Sequence, residues 1–153
     1  MHTLYNNHLI AVHELTVAQV LDIFALTKRF QVTPQADYLQ HKLVAQCFFE
    51  PSTRTRLSFE TAVLRLGGQV IGFADHHTTA VHKGESLADT IKVISSYVDL
   101  LVIRHPKAGA AVVAAEYASC PVINAGDGAN QHPTQALIDL FAMYESQGDI
   151  NGL

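Results

Sequence analysis

Four short apolar runs, each followed by a segment with helical periodicity, constrain the fold of this chain more than any other feature. The first run, residues 43–49, is almost continuously apolar, as in a strand that is covered on both faces. Similar runs predict strands at 69–73, 100–103 and 121–125. Strands that alternate with helices predict an α/β domain, with a parallel sheet of about four strands flanked by helices.

Capping signals mark where the helices begin. Thr16 opens a capping box that predicts a helix to about residue 30, and Ser52 and Ser86 begin two others. A fourth helix is predicted at 108–118, and Pro133 suits the first turn of a last one. We expect these apolar side chains to face the core: Val17, Val20, Leu21, Phe24, Leu57, Phe59, Val63, Leu64, Leu66, Ile91, Ile94, Val98, Leu137, Leu140, Phe141 and Tyr144.

Composition excludes several classes of protein. A chain of 153 residues that is 48% hydrophobic and 16% charged predicts one domain with a real core. The net charge of -4, without a run of basic residues, argues against a nucleic-acid partner. No apolar run approaches the roughly 18 residues that span a membrane, and Cys47 and Cys120 suit buried thiols in a cytoplasmic protein.

In a parallel α/β sheet, ligands bind outside the carboxyl ends of the strands. The segments expected at that edge are 50–55, 74–85, 104–106 and 126–135. Candidate functional residues are therefore sought in these four loops.

The first loop carries hydroxyl and guanidinium groups at the start of a helix: Ser52, Thr53, Arg54 and Thr55. Free N–H groups and the positive end of the helix dipole bind phosphate at such a place, and Arg54 can add a bidentate contact. The alternative is that Ser52 is only a helix cap and that the arginines lie on a solvated face.

Arg104 directly follows a buried strand, where a guanidinium is costly to bury unless it meets an anion. The alternative is an internal salt bridge to a carboxylate such as Asp127. His132, at the start of the last helix, is expected to stay neutral there, although a lone histidine is more often a cap. The glycine-rich segment before it lacks the third glycine of a dinucleotide motif, since Gln131 stands there.

The second loop is polar and contains Thr78, Thr79 and Lys83. Three histidines lie in or beside it, at positions 76, 77 and 82. No carboxylate or cysteine completes a tetrahedral set, so no metal site is expected.

Five separate motifs, in order along the chain, resemble the aspartate/ornithine carbamoyltransferase family. They are FFEPSTRTRLSFE at 48–60, KGES at 83–86, RHP at 104–106, NAGDG at 124–128 and HPTQ at 132–135. The NAGDG run and the proline before Ser52 resemble the aspartate branch more than the ornithine branch.

The resemblance implies transfer of the carbamoyl group from carbamoyl phosphate to the amine of L-aspartate, a step of pyrimidine synthesis that uses no cofactor. It implies catalytic roles for Arg54, Thr55, Arg104 and His132. The residues it assigns to carbamoyl phosphate are Ser52, Thr53, Arg54, Thr55, Lys83, Arg104, His132 and Gln135.

The resemblance also implies a homotrimer with shared sites, and it admits regulatory chains. Lys83 would reach into the neighbour's site together with a hydroxyl, for which Thr79 and Thr78 are both candidates.

By the same resemblance, residues 1–148 form the carbamoyl phosphate-binding domain. Residues 149–153 begin the connection to an absent domain that binds aspartate. We therefore expect this chain to bind carbamoyl phosphate but to turn over aspartate poorly. The alternatives are a non-catalytic interaction module, such as a truncated paralogue that keeps the fold, and, more weakly, an ornithine carbamoyltransferase.

Overall fold

The computed structural model describes residues 7–33, 37–74 and 84–148. The strands in this part of the chain are β1 (Leu43–Phe48), β2 (Gln69–Phe73), β3 (Leu100–His105) and β4 (Val122–Asp127). The helices are α1 (Val17–Val32), α2 (Thr53–Arg65), α3 (Leu87–Ser95), α4 (Ala110–Tyr117) and α5 (Pro133–Gln147).

The four strands form one sheet in the order β2-β1-β3-β4, and every neighbouring pair is parallel. The predicted α/β class is therefore confirmed. The chain passes from β1 outward to β2 and then returns to the other side of β1 as β3. This change of direction places a crevice between the carboxyl ends of β1 and β3, where ligands bind in open α/β sheets.

Side chains alternate between the two faces of β1, and helices cover both faces. Ala45 and Cys47 pack with residues of α3 and α4 on one face. Val44 and Phe48 pack with Val63 of α2 on the other. Because both faces are covered, β1 is almost entirely apolar, as its sequence predicts.

Helices α1 and α5 pack on each other through a smaller cluster of apolar side chains. Phe24 of α1 is 2% exposed, and its ring centroid lies 5.2 Å from that of Phe141. The predicted capping box of Thr16 is present at the start of α1. The predicted inward positions of α5 are confirmed, since Leu137, Leu140, Phe141 and Tyr144 all belong to this cluster.

Four predicted core positions are wrong. Val17, Leu21, Leu57 and Leu64 are 65%, 40%, 49% and 57% exposed. Packing within this domain buries other positions of the same helices instead, Val20 and Phe24 in α1 and Val63 in α2.

Strands β3 and β4 extend two residues further than predicted, to His105 and Asp127. The N–H of Phe49 donates to the carbonyl of Arg104 at 2.8 Å, and His105 pairs with Asp127 after a register shift. The polar residues Arg104 and Asp127 are therefore held by the sheet itself and not by flexible loops.

Both cysteines are free thiols within the core. Burial, with a smaller contribution from Cys120, raises the pKa of Cys47 to about 12. Neither is therefore activated as a nucleophile. Among the described residues, no helix has the length and apolar character needed to cross a membrane.

Candidate functional site

Residues at the ends of three strands lie close together at the carboxyl edge of the sheet. Glu50 follows β1, Arg104 lies near the end of β3, and Gly126 lies near the end of β4. His132 stands at the N-cap of α5, directly after the loop that leaves β4. The site therefore straddles the β1/β3 crevice.

Arg104 is held by a carboxylate and by a backbone carbonyl. Its Nη2 and Nε atoms donate to Oε1 of Glu50 at 2.8 and 3.2 Å, and its Nη1 atom donates to the carbonyl of Ala125 at 3.1 Å. The side chains of Arg104 and Glu50 are 21% and 32% exposed, so this ion pair is partly sheltered from water.

An internal salt bridge of Arg104 was one of the two alternatives from the sequence, and it is present. The partner named there, Asp127, is wrong, because Glu50 is next to Arg104 across the β1/β3 pair. Asp127 instead accepts hydrogen bonds only from neutral groups of the described residues.

The guanidinium of Arg104 still has donors to offer. It carries five N–H groups in a planar fork, and the bonds to Glu50 and Ala125 use three of them. Among the described residues, nothing accepts from the second N–H of Nη1 or of Nη2. These two groups can bind an anion or a carbonyl oxygen without breaking the existing contacts.

Gly126 leaves space for both Arg104 and His132 because it has no side chain. A Cβ atom at this position would lie 2.9 Å from Nη1 of Arg104 and 3.4 Å from Cδ2 of His132. Its φ of +119° is also one that other residues rarely adopt. Glycine therefore lets both the guanidinium and the imidazole lie against the space that a side chain would fill.

The environment of His132 keeps its imidazole neutral at physiological pH. Burial is the main cause that lowers the pKa of His132, and the nearby positive charge of Arg104 lowers it further. The neutral state agrees with the sequence prediction, but the chief cause is desolvation. The Nδ1 atom lies 3.4 Å from the hydroxyl of Thr134. The ring makes no side-chain hydrogen bond that caps α5.

The start of α2 presents four polar side chains that make no hydrogen bond with the described residues. Ser52 is the N-cap residue, but its hydroxyl makes no capping hydrogen bond. The alternative of a helix cap with solvated arginines thus holds for the position of Ser52 and the exposure of Arg54, but not for a capping bond from the hydroxyl. Thr53 and Arg54 are exposed, Ser52 and Thr55 are half-buried, and none of these four side chains has a hydrogen-bond partner among the described residues.

The remaining predicted site residues are Gln135, which is bonded within α5, and residues that lie outside the described part of the chain. The amide of Gln135 donates to Asp139 one turn further along α5, at 2.9 Å. Lys83, Thr78 and Thr79 lie outside the described residues, as do the three histidines of that loop. In the described ranges, no three His, Cys, Asp or Glu side chains cluster as metal ligands would.

Glu50, Asn124 and Gly126 are site residues that were not predicted from the sequence. Glu50 lies in the motif at 48–60 and directly after β1, and this position was the signal that could have identified it. Only the register between β1 and β3 pairs it with Arg104, since Phe48 is aligned with Arg104. Asn124 is 0% exposed inside an apolar strand, which is the usual sign of a polar group with a structural or functional task.

A cavity of about 750 Å³ lies elsewhere, between α1, α5 and the amino ends of the strands. Its lining is mainly apolar and includes Phe24, Leu100 and Ile138. The lysine in its lining, Lys42, already pairs with Asp99, whereas Arg104 at the carboxyl edge retains two unused N–H groups. The carboxyl edge is therefore the better candidate for polar chemistry.

The sequence model of the aspartate/ornithine carbamoyltransferase, carbamoyl-P binding domain, matches residues 7–145. The aspartate carbamoyltransferase catalytic subunit of Chromobacterium violaceum is 56% identical over 150 residues, which cover 98% of this chain and 50% of the relative. The corresponding subunit of Vibrio cholerae is 52% identical over 153 residues, covering 99% and 50%. The chain thus spans about half the length of the curated relatives it matches.

Solved structures agree in fold as well as in sequence. Aspartate transcarbamoylase from Trypanosoma cruzi, in complex with carbamoyl aspartate and phosphate, superposes with a TM-score of 0.89 at 34% identity, covering 100% of this chain and 48% of that one. The catalytic subunit from M. Jannaschii gives 0.87 at 48% identity, covering 96% and 49%. The chain therefore belongs to the aspartate/ornithine carbamoyltransferase family.

Proposed function

We propose that this chain binds carbamoyl phosphate as one half of an aspartate carbamoyltransferase. The observation that carries the proposal is the convergence of Arg104 and neutral His132 across Gly126, beside the start of α2. The matched family domain and the carbamoyl aspartate and phosphate bound to the T. cruzi relative support the choice of ligand.

The reaction requires stabilisation of charge on two groups. The amine of L-aspartate attacks the carbonyl carbon, a C–N bond forms, and the carbonyl oxygen becomes negative. The C–O bond to phosphate then breaks, phosphate leaves with the electron pair, and the proton lost by the amine passes to the leaving phosphate. Fixed donors aimed at the oxyanion lower this barrier, and the loss of one typically costs about 10²–10³ in rate.

The residues divide into two groups according to the charge they meet. Ser52, Thr53, Arg54 and Thr55 bind the phosphate at the N-terminus of α2, where Arg54 offsets the charge of the leaving group. Thr55, Arg104 and His132 donate to the carbonyl oxygen, and Gln135 binds the carbamoyl NH2 group. His132 can act as an N–H donor while neutral, which its lowered pKa favours.

Aspartate would be bound by a second domain. We propose that residues 1–148 form the carbamoyl phosphate-binding domain and that 149–153, which lie outside the described residues, begin the connection. Lys83 and Thr79 would complete the site of a neighbouring subunit in a homotrimer, to which regulatory chains can bind. We also propose a cytoplasmic location, where free buried thiols such as Cys47 are common.

The first experiment is calorimetric titration of carbamoyl phosphate into the chain in phosphate-free buffer. We expect saturable binding that Arg54→Ala weakens at least about tenfold, since it removes charge-assisted hydrogen bonds. Arg65→Ala is the matched control, because Arg65 is exposed on the last turn of the same helix. The absence of binding to folded wild-type chain would contradict the proposal and favour an interaction module.

Assembly is tested separately by sedimentation. A homotrimer is expected at micromolar concentration. A monomer at all concentrations would remove any role for Lys83 and Thr79 in a shared site. Steady-state assays of the 153-residue chain are expected to show little or no turnover of aspartate.

A further inference from the structure

Asp127 is a buried carboxylate that the proposed reaction does not use. Its side chain is almost inaccessible, with an exposed fraction of 1% for the residue. Oδ1 accepts from the side-chain amide of Asn124 at 3.1 Å and from the N–H of Gln131 at 2.9 Å. Oδ2 accepts from the N–H of Gly109 at 2.8 Å and from the amide of Asn130 at 3.1 Å.

These four donors keep the carboxylate charged in spite of its burial. Burial by itself raises the pKa of Asp127, but the hydrogen bonds outweigh it and the net effect lowers the pKa. Within the described ranges, no lysine or arginine pairs with it. A charge that is buried without a countercharge binds its neutral donors strongly, so it orders the backbone around it.

Asn124 extends this network to the other side of the site. Its amide nitrogen donates to Asp127 and, at 3.1 Å, to the carbonyl of Ile10. Its Oδ1 atom accepts from the N–H of Gly126 at 2.9 Å. Asn124 therefore fixes the Ala125–Gly126 peptide. The carbonyl of this peptide accepts from Arg104, and His132 lies beside its glycine.

The network also fixes the residue that precedes His132. The N–H of Gln131 donates to the Asp127 side chain, and its carbonyl accepts from the backbone N–H of Asp127 at 3.1 Å. The amide of Asn124 lies 3.5 Å from the same carbonyl. Hydrogen bonds at both the N–H and the carbonyl of Gln131 thus hold the chain that leads into His132 against β4.

We propose that Asn124 and Asp127 are positioning residues that hold the His132 imidazole opposite the Arg104 guanidinium across Gly126. Neither touches the reacting atoms, and both act through the backbone of Gly126 and Gln131. The effect on ligand affinity rests on the proposed binding of carbamoyl phosphate, whereas the effect on His132 does not.

The test is Asp127→Asn, which keeps the size of the side chain but replaces an acceptor oxygen by an NH2 group facing N–H donors. Histidine ring NMR gives the pKa of His132, with the signal assigned through His132→Gln. We expect this pKa to rise toward 6.5, because displacement makes the imidazole less buried and moves it away from Arg104. Loss of a negative charge alone would lower it, so a rise reports movement. Carbamoyl phosphate is expected to bind about tenfold more weakly.

Two further variants keep the test decisive. Asn130→Ala removes one donor to Asp127 from an exposed residue and is expected to move the His132 pKa in the same direction by less, even where Asp127→Asn does not fold. Asp37→Asn neutralises an exposed aspartate and is expected to change neither measurement.

Unchanged titration of His132 in folded Asp127→Asn and Asn130→Ala proteins would overturn the proposal. Failure of wild-type chain to bind carbamoyl phosphate would instead overturn the proposed function. In that case the histidine titration still decides whether the hydrogen-bond network around Asp127 positions His132.

Discussion

The same two strands carry an ion pair at each end, and the pairs differ in kind. At the amino ends, Lys42 before β1 meets Asp99 before β3, with Nζ and Oδ1 2.8 Å apart. At the carboxyl ends, Glu50 after β1 meets Arg104 near the end of β3, also at 2.8 Å. The Lys42–Asp99 side chains are 52% and 41% exposed, whereas those of Arg104 and Glu50 are 21% and 32% exposed.

The amino-end pair serves the sheet. Asp99 also accepts from the N–H of Leu43 at 2.9 Å, so its carboxylate joins the amino ends of β1 and β3. The carboxyl-end pair keeps two guanidinium N–H groups available beside an imidazole. An ion pair therefore indicates a binding site only when it is sheltered and retains unused donors.

Removal of the cation at each end separates the two roles most strongly. We expect Arg104→Ala to weaken carbamoyl phosphate binding by about 100-fold, since it removes charge-assisted hydrogen bonds worth about 1.5–3 kcal/mol each. Lys42→Ala is expected to leave binding unchanged and to alter stability only slightly, because its partner is solvated. Calorimetric titration of both variants checks this. Equal losses at the two ends would contradict the distinction.

Filling the space at Gly126 is expected to have the next largest effect. Gly126→Ala places a methyl group 2.9 Å from Nη1 of Arg104, so binding is expected to weaken at least about tenfold. Gly148→Ala is the control: its φ is also positive, at +78°, but among the described residues the new Cβ meets no atom within 4 Å apart from the adjoining chain. Backbone strain is expected to destabilise each protein by about 1–3 kcal/mol, measured by urea unfolding. Normal binding by Gly126→Ala would show that the close approach is not required.

Neutralising the carboxylate at each end is expected to give a smaller and opposite effect. Glu50→Gln removes a negative charge beside the anion site, so carbamoyl phosphate is expected to bind up to about fivefold more tightly. The contact of Arg104 with the Ala125 carbonyl keeps the guanidinium in place. Asp99→Asn, at the other end, is expected to leave affinity unchanged. Weaker binding by Glu50→Gln would mean that Glu50 is needed to orient Arg104.

Acid is expected to remove the stability contributions of the two ends in different pH ranges. This is the smallest effect among the four predictions. The pKa of His132 is lowered from 6.5 in the folded protein, so the unfolded chain binds more protons just below that pH. Its contribution to stability is present above pH 6.5 and is lost as the pH falls through the lower folded pKa. The pKa of Asp99 is lowered from 3.8 by its bonds to Lys42 and Leu43, so its contribution is lost only at lower pH.

Thermal unfolding between pH 7.5 and 4.5 measures the His132 contribution alone, because the contribution of Asp99 is lost only below this range. His132→Gln is expected to reduce the fall in melting temperature below pH 6.5, and exposed His13→Gln is not. An unchanged profile in His132→Gln would assign the pH dependence elsewhere. His105 is the other candidate, since burial and the charge of Lys107 lower its pKa as well.

The type and order of the elements were predictable because they depend on local patterns. A short, nearly continuous apolar run such as Leu43–Phe48 favours a strand covered on both faces, and the caps at Thr16 and Ser86 satisfy N–H groups within one turn. Strand ends were less predictable. Arg104 and Asp127 are polar, and only pairing with a neighbouring strand continues β3 and β4 through them.

By itself, the sequence determined a parallel α/β sheet and the four loops at its carboxyl edge, because apolar periodicity and the rule for parallel strands require no knowledge of contacts. It also placed Arg104 and His132 among the candidates. Tertiary structure alone decided that Glu50, and not Asp127, pairs with Arg104. It also decided that Gly126 provides the space between Arg104 and His132. Both depend on strand order and register, which bring together residues far apart in the chain and which no local pattern encodes.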